Sequence, residues 1–226
     1  MERYARVKDK REIQTIAAFR WWYVLFFAAG LALLASFYFD AQAQAWIAQH
    51  QNAGARSFLR GVSKFGDWPE HIVLGLILLG LAWWRGSKRW MRIVMAMILA
   101  CALAGIAARV VKIATGRPRP AAETTATWNG PSLKSRFNAF PSGHTAASAA
   151  FFATLALASW RIGAACLLIP LLIAFSRMYV AAHYLSDVVA GAVIGLLAAY
   201  FVVRWRLRAN DEAGLNIRSG PVEKTL

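Results

Sequence analysis

Three short stretches of this chain carry residue types suited to binding and attacking a phosphate. The first is "KIATGRPRP", Lys112 to Pro120, where one Gly and two Pro end a helix and force an extended backbone. Lys112 at the helix end and Arg117 or Arg119 in the loop can then converge on one anion. Arginine's planar fork binds two oxygens and lysine adds a point charge. The second is "PSGH", residues 141 to 144, which reads as a helix start: Ser142 caps it, Gly143 lets the backbone approach a ligand, and His144 stands in the first turn. The exposed N–H groups of such a start attract phosphate. The third is "SRMYVAAHYLSD", Ser176 to Asp187, which separates His183 from Asp187 by four residues. On one helical face the carboxylate accepts the imidazole Nδ1 proton and leaves the other ring nitrogen as a nucleophile. Arg177 adds a further cation.

Each stretch also has a plain structural reading. The basic residues can snorkel to lipid headgroups, PSGH can be a capped helix and nothing more, and a His–Asp pair at a membrane boundary can be structural. What separates the readings is whether the elements that carry them bring them together.

Those elements are apolar. The 226 residues are 58% hydrophobic, with 26 Lys and Arg against 11 Asp and Glu. Long apolar runs separated by basic connections indicate a membrane protein and not a nucleic-acid binder. Six spans are predicted: Trp21–Phe39, Trp68–Trp84, Ile93–Ala108, Thr145–Trp160, Ile162–Phe175 and Val188–Val203. The first has no charge over nineteen residues, which is too long for a signal-peptide core, so it is read as an uncleaved helix despite the cleavage-like "AQAQA" at 41 to 45. Pro170 is expected to kink the fifth span, and Gly191 and Gly195 in the sixth form a GxxxG that permits close helix approach. Cys101 and Cys166 lie inside apolar runs and read as core residues.

With the N-terminus inside, 16 of the basic residues fall on the cytoplasmic side and 10 on the other. The short loop holding Arg85, Lys88, Arg89 and Arg92 weighs most in that orientation. Both termini are then cytoplasmic, and all three stretches lie on the outward face. Three of the outward cations, Arg56, Arg60 and Lys64, alternate with Phe58, Leu59, Val62 and Phe65 at helical spacing. That pattern fits a helix lying in the outer interface, and it equally fits a solvated loop helix. The expected architecture is therefore all-α: an integral membrane bundle of six transmembrane helices with an interfacial amphipathic helix. It forms a single domain over residues 1–209, followed by a polar cytoplasmic tail over 210–226.

Taken in order, Lys112-x6-Arg119-Pro120, Pro141-Ser142-Gly143-His144 and Ser176-Arg177-x5-His183-x3-Asp187 resemble the three-part signature of the type 2 phosphatidic acid phosphatases, a superfamily shared with vanadium haloperoxidases. The resemblance implies a lipid phosphatase of the inner membrane working at its outer face. In it His183 attacks phosphorus and becomes a phosphohistidine, Asp187 orients it, and His144 protonates the leaving oxygen. Lys112, Arg119, Ser142, Gly143 and Arg177 hold the phosphoryl oxygens, and neither metal nor other cofactor is implied. The expected partner is a phosphorylated membrane lipid: undecaprenyl pyrophosphate, phosphatidylglycerophosphate, phosphatidic acid or the 1-phosphate of lipid A. Trp128, Asn129, Lys134 and Arg136, with the Arg56–Phe65 stretch, are expected to contact headgroup or tail, and Arg117 to assist a second phosphate. A vanadate-dependent peroxidase and an anion transporter are the alternatives; the latter needs no His–Asp nucleophile.

Overall fold

In the computed structural model, residues 23–24, 27–122, 124 and 128–208 are described; the basic N-terminal segment and the tail from 210 lie outside them. The described residues form helices and connections, with no strand among them. The helices are α1 (Phe27–Tyr38), α2 (Asp40–His50), α3 (Ala53–Lys64), α4 (Trp68–Trp84), α5 (Lys88–Thr115), α6 (Gly143–Ala158), α7 (Trp160–Cys166), α8 (Leu168–Tyr179) and α9 (Leu185–Val202).

Local chemistry explains most boundaries. Asp67 starts α4 by accepting the Trp68 N–H at 2.9 Å, with Pro69 in the first turn. At about 1.5 Å per residue, the 28 residues of α5 extend roughly 42 Å. It stops at Gly116, whose left-handed φ of 58° turns the chain; a Cβ there would stand 1.8 Å from the Gly130 carbonyl oxygen. Pro170 has no N–H to bond the carbonyl four residues back, at Cys166, which is where α7 ends. The proline itself sits buried in the first turn of α8, so the expected kink falls before it, at Leu167.

Three helical stretches are long and apolar enough to cross a membrane: Lys88–Thr115, Trp160–Tyr179 and Leu185–Arg206. The pair α3 and α4, bent by 60°, makes a fourth if taken together, while Phe27–Tyr38 and Gly143–Ala158 are shorter apolar helices. Each expected span thus has a helical counterpart, but three or four, not six, meet the length criterion among the described residues. The shorter α6 is the central helix of the bundle. All residues from Thr145 to Leu155 are buried, because α5 and α9 cover two sides and α4, α7 and α8 the rest.

Small residues allow this. Ala96, Ala100, Ala104 and Ala108 form a stripe on α5, packed with Ala146 and Ala150 of α6 and Val202 of α9. The GxxxG of α9 lies against α6 so closely that a Cβ on Gly191 would come within 2.5 Å of the Ser142 carbonyl oxygen, and one on Gly195 within 2.5 Å of that of Ala146. A second cluster packs Ile93, Val94, Met97 and Cys101 against Phe151, Phe152 and Leu155. The amphipathic α3 packs one side against the rest of the molecule. Its Leu59 is buried with Ile47 and Tyr179, while Phe58 and Phe65 point outward.

Candidate functional site

The ends of α4, α5, α6 and α8 and the turn before α9 surround a pocket of about 660 Å³. Lys112, Arg119, Gly143, His144, Arg177 and His183 all line it, together with Arg109 and Asp67. The three sequence stretches therefore meet in one place. Lys112 comes from the last turn of α5; its Nζ lies 3.7 Å from the point that a Gly143 Cβ would occupy. The chain from Gly116 folds back so that the Arg119 N–H donates to the Arg136 carbonyl at 2.9 Å, which holds Arg119 over the pocket. At the far side Ala181 adopts a left-handed φ of 56°, and the N–H groups of Ala182 and His183 both donate to the Arg177 carbonyl. That tight reversal delivers Arg177 and His183 to the same cavity.

Two of these cations are incompletely satisfied. Arg119 Nε and Arg177 Nε are buried without a hydrogen-bond partner, although Arg177 also donates to Ser63 Oγ. Buried polar groups nearly always find partners. Two buried guanidinium N–H groups with no protein partner in one cavity suit the oxygens of an anion.

His183 is 1% exposed, and its Nδ1 stands 3.4 Å from Asp187 Oδ2. The expected Nδ1 hydrogen bond is not aligned: Nδ1 has no partner by geometry. Asp187 is engaged elsewhere, Oδ2 accepting the Tyr184 N–H at 2.8 Å and Oδ1 a guanidinium N–H of Arg117 at 2.6 Å. Burial first, then the charges of Lys112, Arg177 and Arg119, hold the His183 imidazole well below its ordinary value of 6.5, against a raising hydrogen bond to the Ala139 backbone. The ring is therefore neutral at pH 7. Burial lowers Arg119 as well, partly opposed by Asp187.

Some expectations need correction. Ser142 is fully buried and serves α6 as its cap, its Oγ accepting from the Thr145 N–H and hydroxyl, so it stands behind the pocket wall and not in it. Arg117 does not face the pocket to assist a second phosphate; it is buried between Asp40 and Asp187 because those carboxylates take its charge. Trp128 covers Arg117, its ring 5.3 Å from the guanidinium, and the Asn129 N–H donates to the Gly116 carbonyl. With Lys134 and Arg136 they brace the loop and are not among the lining residues.

Two acidic residues escaped the sequence reading. Asp67 Oδ1 lies 3.7 Å from His144 Nδ1, held there by the turn after α3, where Gly66 packs against His144 and Ile173. Asp67 also caps α4, and nothing in its local sequence marks the histidine contact. Asp40, at the start of α2, bonds the Ser186 N–H and hydroxyl and Arg117. It was hidden beside "AQAQA", which is helical here and whose Gln44 donates to the His183 carbonyl at 3.2 Å. One wall of the pocket is apolar, formed by Trp68 of α4 and by Ala102, Gly105, Ile106 and Val110 of α5. A neighbouring polar recess of about 560 Å³, lined by Arg60, Ser63, Lys64 and Glu70, shares Asp67, His144 and Arg177 with it.

A helical membrane protein with a cation-lined pocket beside a buried His–Asp pair is the class that this fold and site define. The chain belongs to the PAP2 superfamily, whose family model matches residues 93–211, a little over half of it and all three stretches. It is 37% identical over 97 residues to a lipid A 1-phosphatase of Rhizobium johnstonii, covering 40% of this chain and 38% of that one. A lipid A 1-phosphatase of Rhizobium etli is 28% identical over 193 residues, covering 78% and 81%. The first alignment thus spans well under half of its relative, and the second most of it. Among solved structures, Aquifex aeolicus LpxE superposes with a TM-score of 0.58 at 21% identity over 74% of this chain and 95% of that one. The PAP2-type phosphatidylglycerolphosphate phosphatase of Bacillus subtilis gives 0.62 at 19% identity over 84% and 95%. At those identities the likeness is one of fold.

Proposed function

We propose that this protein is a membrane lipid phosphatase that removes a phosphate from a lipid headgroup at the outer face of the membrane through a phosphohistidine. The observation that carries the proposal is the convergence of Lys112 and the unsatisfied Nε groups of Arg119 and Arg177 on the buried, neutral His183. The cations take the phosphoryl oxygens as charge spreads over them, with the Gly143 backbone beside them. The free nitrogen of His183 attacks phosphorus, the bond to the lipid oxygen breaks, and His144 gives that oxygen a proton. Water then attacks the phosphohistidine and returns a proton to His144, which releases inorganic phosphate. Asp187 fixes the His183 ring. No metal or other cofactor enters: the cations supply the charge stabilisation.

A lipid substrate is supported by the apolar wall that Trp68, Ile106 and Val110 add to the pocket beside Lys112, against which acyl chains can lie while the phosphate reaches the cations. The Ile106 and Val110 side chains are largely exposed. Of the candidate lipids, the 1-phosphate of a lipid A is favoured by the names of the Rhizobium relatives. The outward placement rests on the basic turn Arg85–Arg92, which joins α4 and α5 at the ends opposite the pocket.

The test is phosphate release by purified protein from a panel of lipid A 1-phosphate, phosphatidylglycerophosphate, phosphatidic acid and undecaprenyl pyrophosphate, in chelator and without vanadate. We expect turnover that is strongest on lipid A 1-phosphate and that vanishes, along with any acid-labile phosphoenzyme, in His183→Ala. Unchanged turnover in that variant refutes the assignment.

A further inference from the structure

Arg117 is the best-enclosed cation of the outward face, and nothing in the phosphate chemistry uses it. One guanidinium nitrogen donates to Asp187 Oδ1 at 2.6 Å and to Ser186 Oγ at 2.6 Å; the other donates to Asp40 Oδ2 at 2.7 Å. Asp40 completes the ring of contacts by accepting the Ser186 N–H at 2.8 Å and its hydroxyl at 2.6 Å. Three aromatic rings close over the guanidinium, Tyr184 at 4.2 Å and Phe37 and Trp128 at 5.3 Å each. Water is thereby kept from a group that would otherwise be solvated, and its charge is directed onto two carboxylates.

The consequence falls on Asp187. Its Oδ1 is pinned by Arg117 and its Oδ2 by the Tyr184 N–H, so the carboxylate plane is fixed with Oδ2 toward His183. Asp40 in turn fixes Arg117, and through Ser186 it fixes the first turn of α9 that carries Asp187. We propose that Asp40 and Arg117 are a positioning pair for the His183–Asp187 dyad, so that the segment following the first apolar helix completes the site. The pair lies outside the three sequence stretches, and neither member lines the pocket. It acts through Asp187 and touches no substrate. The inference rests on the phosphatase reading for its kinetic arm only.

Two measurements on the full-length protein test it. In the first, kcat and KM are compared for wild type, Arg117→Met, Arg117→Lys, Asp40→Asn and the Asp40→Asn/Arg117→Met double variant. Arg117→Met should lower kcat and the rate of phosphoenzyme formation at least about 30-fold while KM stays within threefold, and Arg117→Lys should recover part of that loss. Asp40→Asn should cost about tenfold, and the double variant should be no worse than Arg117→Met alone, since two members of one network do not add. In the second, 15N-histidine NMR reads the tautomer of His183, which needs no substrate. Wild type should hold the Nδ1–H form, and Arg117→Met and Asp40→Asn should give a mixture. A single unchanged tautomer with kcat within twofold in folded Asp40→Asn and Arg117→Met overturns the pair, as does strict additivity. If wild type releases no phosphate from any lipid, the phosphatase reading fails while the tautomer spectra still decide the pair.

Discussion

Replacing Gly191 by Ala is the most direct test of how packing sets the chemistry. A Cβ at this position would lie 2.5 Å from the Ser142 carbonyl oxygen, 3.2 Å from Thr145 Cβ and 3.3 Å from the Ala146 nitrogen. Opening the first of these to an ordinary carbon–oxygen contact of roughly 3.3 Å requires α6 and α9 to separate by about 0.8 Å. Neither helix can absorb that by turning a side chain, because the obstruction is backbone. Overpacking of this kind costs about 1–3 kcal/mol. The separation occurs one turn from Asp187 on α9 and at the first turn of α6, the turn of Gly143 and His144, so it moves the two histidines apart. Misplacement approaching 1 Å costs on the order of 100-fold in rate. Gly191→Ala should therefore lower kcat/KM by about 10- to 100-fold and reduce the Tm by several degrees. Gly195→Ala, whose Cβ meets the Ala146 carbonyl oxygen at 2.5 Å one turn farther from the site, should match the Tm loss with a smaller kinetic one. Gly80 in α4 has nothing within 4 Å, so Gly80→Ala should leave activity intact and gain up to about 1 kcal/mol of helix stability. Lipid phosphate release and thermal melting in one detergent measure all three. Gly191→Ala with kcat/KM within threefold of wild type and an unmoved Tm would refute the packing argument.

Two further outcomes follow from the site. His183 is held neutral in the folded protein well below its ordinary 6.5, so below that pH the unfolded chain takes up a proton that the folded one does not. Stability should then fall as pH drops below 6.5, by about 1.4 kcal/mol per pH unit from this group, and should level off once the folded ring also protonates. His183→Asn should reduce the slope by this contribution in a melting series from pH 7 to 4.5, and an identical slope would argue against a buried neutral ring. Asp67→Asn removes the carboxylate 3.7 Å from His144 Nδ1. It should lower kcat on a lipid phosphate by about tenfold and hardly at all on an aryl phosphate, whose leaving group needs no acid. Equal losses on both substrates would show that Asp67 serves only α4.

Much of this was legible in the chain. Apolar runs located the helices, residue for residue at Trp68–Trp84, and the turn chemistry of PSGH located the start of α6. What local pattern could not decide was which of two arginines, separated by a single proline, faces the pocket. Arg117 and Arg119 occupy equivalent letters in "GRPRP". The choice is made by Asp40, 77 residues away in sequence, and by the loop contact of the Arg119 N–H with Arg136. Such pairings arise only when the helices are assembled. The same applies to Asp67, whose cap role was written locally and whose histidine neighbour was not.

The misplaced weight lay on the cations. In a membrane protein a basic residue has several ordinary explanations: topology, headgroup contact and snorkelling. An acid in or near an apolar helix has few, because burying a carboxylate is costly unless it is paired. Of the 11 acids in the chain, only Asp40, Asp67, Glu70, Glu123 and Asp187 lie between Trp21 and Val203. Three of the five belong to the site: Asp187 beside His183, Asp67 beside His144, and Asp40 behind Arg117. His144 and His183 thus each have an acid near Nδ1, and the third acid secures the one that serves His183. In a chain with an excess of 15 positive charges, the rare carboxylates mark the chemistry more sharply than the abundant cations do.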